Sequence, residues 1–269
     1  LAVSVDARHR GLAFGVHRAL DNAGAVIGPL AAAALLAAQV PIRDILLWTA
    51  LPGALAVLLA LNLREPRALP APAAAGAAWT WRGLPPGFRR LLATIAVFTA
   101  GQASNTFMLL RATDLGLGAA QVALLWALVS GVSTLLAVPL SAWSDRVGRT
   151  TLMVAGWLLY AAVFVLLGQA SEPSLIWVAA ALMGVYLAAT EGAERALIAD
   201  LVAPGARGTA YGWYYLVKGL LLLPASALFG LVWHAWGAAW AFGLGAVLVF
   251  AAAGLLVGWV VPVLGTGRD

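Results

Sequence analysis

Apolar runs of about twenty residues recur along this chain, and they decide what it can fold into. Eight are read from the sequence: 12–38, 43–63, 90–111, 119–142, 150–169, 174–199, 208–233 and 238–262. As helices rising about 1.5 Å per residue, such runs cross a hydrocarbon layer of roughly 30 Å. They are too long for barrel strands and do not alternate with period two. Hydrophobic residues make up 63% of the chain and charged residues 10%, against about 25% charged in soluble domains. Water could not solvate a fold of that composition, whereas lipid can. Backbone groups in lipid must be satisfied within each segment, which predicts an all-α integral membrane bundle.

The charges that remain are ordered. The net charge is +5, and fifteen arginines with one lysine fall mostly between apolar runs, which points to membrane topology rather than to nucleic acid. Arg8 and Arg10 precede the first run; Arg64, Arg67, Arg82, Arg89 and Arg90 lie between the second and third. Arg146 and Arg149 follow the fourth, Arg207 the sixth and Arg268 the eighth. The intervening loops are less basic, so both ends of the chain are expected in the cytoplasm of a multi-pass inner-membrane protein. With no cysteine and three scattered histidines, neither a disulfide nor a metal centre is expected, and no cofactor motif is present.

Residues 64–89, rich in Pro, Ala and Arg, are predicted to form a cytoplasmic interdomain linker, with Trp79 and Trp81 at the membrane surface. That divides the chain into a two-helix unit over 1–63, the linker, and a six-helix bundle over 90–269. Val5–Gly15 (VDARHRGLAFG) and Val202–Gly212 (VAPGARGTAYG) also match at a spacing of 197 residues, each leading into an apolar run. Parallel repeats of this kind are common in transporters. By that logic the first unit is the end of a second six-helix bundle, and about four helices are expected ahead of Leu1.

Three features together resemble the major facilitator superfamily. Ser141-Ala-Trp-Ser-Asp145-Arg146-Val-Gly148-Arg149 is similar to its G-x-x-x-D-R-x-G-R loop between the eighth and ninth helices, although Ser141 replaces the leading glycine. Gly15, Gly24, Gly28 and Pro29, followed by Ala32 and Ala33, resemble the glycine–proline pattern on the fifth helix of proton-coupled exporters. The third feature is the long linker. The resemblance implies two six-helix bundles, a central cavity and a conformational gate built from Asp145, Arg146, Gly148, Arg149, Gly24, Gly28 and Pro29. Small residues at 24 and 28 would permit close helix contact, and Pro29 a bend.

Ionisable residues inside membrane spans are costly, and each is a candidate for function or for an internal pair. Lys218 lies eleven residues past Arg207, and the 197-residue offset aligns it with Asp21 across a pseudo-two-fold axis. A cavity with an acid on one wall and a base on the other is one reading; a pair that only assists assembly is the other. Glu191, Glu194 and Arg195 share helical faces, with Glu191–Arg195 a candidate ion pair and Glu194 a candidate proton carrier or part of a solvated gate. Asp21, Glu191, Glu194 and Lys218 are therefore the proton-coupling candidates, and Gln102, Asn105, Tyr186 and Tyr214 the substrate-cavity candidates.

The expected function is proton-coupled efflux of small organic molecules by alternating access, performed by a monomer in the lipid bilayer and involving no enzymatic chemistry. A proton-coupled importer of a small solute and a non-transporting remnant or sensor are the alternatives.

Overall fold

Packing of the apolar runs was followed in a computed structural model, which describes residues 10–62, 81–203 and 206–262. The side chains of residues 10–22, 82, 141, 142, 144 and 145 lie outside that description, as do most of the expected linker and both chain ends. The described residues form helices joined by short connections: α1 (Arg10–Ala37), α2 (Ile42–Trp48), α3 (Ala50–Leu61), α4 (Pro86–Gly101), α5 (Thr106–Asp114), α6 (Ala119–Val147), α7 (Arg149–Gln169), α8 (Pro173–Leu201), α9 (Arg207–Trp236) and α10 (Ala238–Leu255). Among the described residues, six helical segments are long and apolar enough to span a membrane, including Ile42–Leu61 and Ala238–Val260.

Three boundaries differ from the sequence expectation. The helix predicted from residue 90 starts at Pro86, inside the expected linker, because a proline at the first helical turn gives up no hydrogen bond and has a suitable φ. The span 43–63 is interrupted at Thr49, ahead of Pro52, which lacks the N–H that would close the turn onto Trp48. The run 90–111 is not one helix. It stops at Gly101, passes through an extended Gln102 (φ −82°, ψ 119°) and resumes at Thr106. Contacts made in three dimensions explain this break. The Ser104 N–H is taken by the Ser226 hydroxyl of α9 at 3.2 Å. Gly101 lies against α10, where a Cβ would meet Leu248 Cβ at 2.7 Å and Gly245 O at 2.9 Å.

Helix α8 packs on α6 and α7, α7 on α10, and α4 on α9 and α10. Their shared interior is aromatic. Phe98 of α4 stacks on Trp157 of α7 with centroids 4.4 Å apart, and Tyr160, Phe164, Tyr186, Phe229 and Phe242 extend the cluster. Face-offset and edge contacts of this kind supply packing attraction that lipid does not replace. The outward faces carry exposed Leu220, Leu223 and Leu231 on α9 and Val247 and Phe250 on α10, as a lipid-facing surface requires. Helix α1 packs on α6, whereas α2 and α3 bury no residue.

Arginines tie helix ends together. On α5, Arg111 donates to the C-terminal carbonyls of α7, Leu167 O at 3.3 Å and Ala170 O at 2.6 Å. At the other end of the bundle, Arg90 donates to Trp259 O at 3.2 Å and lies over the Trp259 ring at 5.6 Å. Trp259 belongs to a π-helical turn, Leu256–Val260, that continues α10. Trp81, expected at the membrane surface, packs edge-on against Trp213 of α9 at 6.0 Å while remaining part-exposed.

Candidate functional site

Two helices, α8 and α9, supply the ionisable residues of the site. On α9 the i, i+4 spacing brings Tyr214 and Lys218 to one face. On α8, Glu191 and Glu194 are three residues apart and so lie about 60° apart around the axis, enough for packing to separate them. Glu194 turns inward and is 4% exposed. Glu191 stays half-exposed and pairs with Arg195 at 3.8 Å.

Donors from two helices converge on the Glu194 carboxylate. The Tyr214 hydroxyl donates to Oε2 at 2.5 Å, and the Lys218 ammonium lies 3.4 Å from the same oxygen. Lys218 also donates to the Tyr214 oxygen at 3.1 Å and stands over its ring at 5.1 Å. The indole N–H of Trp157 on α7 reaches Oε1 at 3.4 Å. A buried charge is tolerated in lipid when it is paired and hydrogen-bonded in this way. A proton arriving at Glu194 would compete with Lys218 and Tyr214 for one oxygen.

This cluster forms one wall of a cavity of about 370 Å³. Gln102, at the break between α4 and α5, contributes to it, together with Tyr186 and Thr190 of α8 and Tyr215 and Leu222 of α9. A discontinuous helix beside a polar cavity leaves backbone groups available to a ligand at depth in the membrane.

Nearer the basic end, Gly148 joins α6 to α7 with φ +93°. The turn delivers Arg149 to the end of α8, where it donates to Ala196 O at 3.0 Å and pairs with the Asp200 carboxylate. The Tyr211 hydroxyl of α9 donates to Arg195 O at 2.8 Å, so α7 and α9 both grip the last turns of α8.

The family model of the Major Facilitator Superfamily matches residues 90–267, about two-thirds of the chain. The chain belongs to the major facilitator superfamily. It is 31% identical over 237 residues to an uncharacterised MFS-type transporter of Methanocaldococcus jannaschii, covering 83% of this chain and 58% of that one. It is also similar to a multidrug resistance protein of Sodalis glossinidius, 33% over 127 residues, covering 45% and 29% of the two chains. A puromycin resistance protein of Streptomyces alboniger is 39% identical over 77 residues, 28% of this chain and 15% of that one. The chain spans a little over half the length of the first of these relatives. Membership of this superfamily, with the apolar helices above, makes the chain a multi-pass membrane bundle.

Within this superfamily bundle, the sequence candidates fare differently. Glu194, Lys218 and Tyr214 come together, and Tyr186, Glu191 and Gln102 line the same cavity. Lys218, aligned in sequence with Asp21, bonds to Glu194; the side chains of Asp21 and Asp145 lie outside the described residues. Glu194, weighed as part of a solvated gate, is buried. Asn105 does not line the cavity, and its carbonyl instead accepts the Met108 N–H at the start of α5. Among the gate residues, Arg149 and Gly148 hold the α6–α7 turn, and Arg146 is exposed. Pro29 lies inside α1, but a Cβ at Gly24 or Gly28 would meet no described atom within 4 Å, so neither glycine makes a close contact there. Sequence reasoning missed Trp157, and it placed Asp200 with Glu194 near the cytoplasmic end without its partner Arg149. A tryptophan in an apolar run carries no polar signal, and Asp200 meets Arg149 only through the fold.

Proposed function

We propose that this transporter exports small organic molecules in exchange for protons, with Glu194 as the carboxylate that couples the two fluxes. The observation that carries the proposal is the convergence of Tyr214, Lys218 and Trp157 on one buried carboxylate in the wall of the cavity. Protonation would remove the partner that neutralises Lys218 and so change the charge presented to a bound molecule, which is the differential interaction a coupled conformational change requires. Relatives named for multidrug and puromycin resistance support the outward direction and a drug-like cargo. In this reading residues 1–63 and 90–269 belong to two bundles that rock about a midplane site, joined by the linker at 64–89. The basic end faces the cytoplasm, the membrane is the plasma membrane, and the unit is a monomer.

Inverted vesicles carrying the protein test the direction. Imposing an inward-acid gradient should drive accumulation of a fluorescent drug-like substrate inside inverted vesicles. Proton-driven loss from them, with accumulation in right-side-out vesicles, would instead establish an importer.

A further inference from the structure

Trp157 is the one member of the carboxylate cluster that does not line the cavity. It is fully buried and its two faces of interaction point in different directions. Its indole N–H is directed to Glu194 Oε1 at 3.4 Å, while its ring stacks on Phe98 at 4.4 Å and 18° between planes. The Phe98 carbonyl in turn accepts the Gln102 N–H at 2.9 Å, a donor shared with Thr99 O at 3.1 Å where the helix breaks. Beside this point the Thr99 hydroxyl is buried with no hydrogen-bond partner among the described residues. Gln102 then re-enters the wall of the cavity to which Glu194 also belongs.

We infer that Trp157 is a positioning residue that conveys the charge state of Glu194 to the break between α4 and α5. The inference rests on the coupling role proposed for Glu194 and adds the route by which that role reaches another helix. The charged and titratable groups facing Glu194 are Lys218 and Tyr214 from α9 and, on its own helix, Tyr186, Glu191 and Arg195; α7 contributes Trp157. When the carboxylate is neutral it no longer offers the indole a charged acceptor, and the indole is free to shift with the ring it is stacked on. Core packing is too dense for that shift to stop at Trp157. Phe98 moves with it, and the bond from Gln102 to the Phe98 carbonyl is next in line. The path is thus a contiguous set of packed groups ending at the break between α4 and α5.

The test is a double-mutant cycle read by hydrogen–deuterium exchange of the backbone amides of residues 98–106 in the purified full chain. Glu194→Gln stands in for the protonated carboxylate. It should change exchange in this segment several-fold in the natural background and leave it within experimental scatter when Trp157→Phe is also present. Phe98→Leu, which removes the stack but keeps the indole N–H, should suppress the effect in the same way and guards against a folding defect peculiar to one variant; melting temperature confirms that each is folded. An effect of Glu194→Gln of equal size in all three backgrounds, or none in the natural one, overturns the inference. Failure of the underlying coupling role has a separate signature, since proton-driven transport would then survive Glu194→Gln whatever the exchange shows.

Discussion

The hydroxyl of Tyr214 meets the carboxylate of Glu194 at 2.5 Å, and Lys218 approaches the same oxygen from one helical turn further along α9. A tyrosine and a lysine at i, i+4 therefore act as one unit on a carboxylate carried by a different helix. Removing either partner leaves a buried charge under-satisfied. Lys218→Met should destabilise the bundle by about 3–5 kcal/mol, the range for a buried pair broken on one side. Combining it with Glu194→Gln should restore most of that loss, because no unpaired charge remains. Thermal unfolding in detergent of the two single variants and the double checks both halves of the statement.

Tyr214→Phe isolates the hydrogen bond from the ring. The ring still lies under Lys218, so the loss is that of the hydroxyl's bonds to Glu194 and from Lys218, at least about 1.5–3 kcal/mol. The effect should be smaller once Glu194 is glutamine, and the difference between the two backgrounds measures the coupling.

Arg111 makes a separate prediction at the opposite end of the bundle from Arg149. Its guanidinium satisfies two carbonyls at the end of α7, groups that have no partner within the helix. Arg111→Met, which keeps the length of the side chain, should lower stability by about 1.5–3 kcal/mol. It should increase amide exchange at the end of α7 more than elsewhere.

Gly148 stands where an L side chain is strained. Its φ is +93° and, among the described atoms, its Cβ would meet only Thr151 Oγ1, at 3.6 Å, so an added methyl group is opposed by the backbone. Gly148→Ala should cost about 1–3 kcal/mol and should displace Arg149 from Asp200 and Ala196. Asp200→Asn removes only a part-exposed ion pair and should cost no more than about 1 kcal/mol. The order of the two melting temperatures, with Gly148→Ala the lower, distinguishes a turn that positions Arg149 from a pair that holds the helices by charge.

Much of the helix inventory was legible in sequence because hydropathy is a local property. The turns at Gly148 and Gly237 fall where the apolar runs end, and both take the positive φ that glycine allows. The break at Gln102 was not legible, because the hydropathy runs through it; the contacts of Ser104 with Ser226 and of Gly101 with Gly245 join residues more than a hundred positions apart. For the site, the sequence identified the chemically capable residues but not their partners. Glu191 and Glu194 differ by three positions, and only the packing of α8 against α7 and α9 turns one into the interior and leaves the other beside Arg195. Periodicity alone likewise could not pair Lys218 with Glu194, 24 residues away on another helix.

The central claim is that Glu194 couples proton movement to transport. The most direct measurement compares two assays of Glu194→Gln in proteoliposomes of the protein: accumulation driven by a pH gradient, and exchange of labelled for unlabelled substrate with no gradient. The account predicts that gradient-driven accumulation is lost while exchange persists. Gradient-driven accumulation at the rate of the natural protein would contradict it.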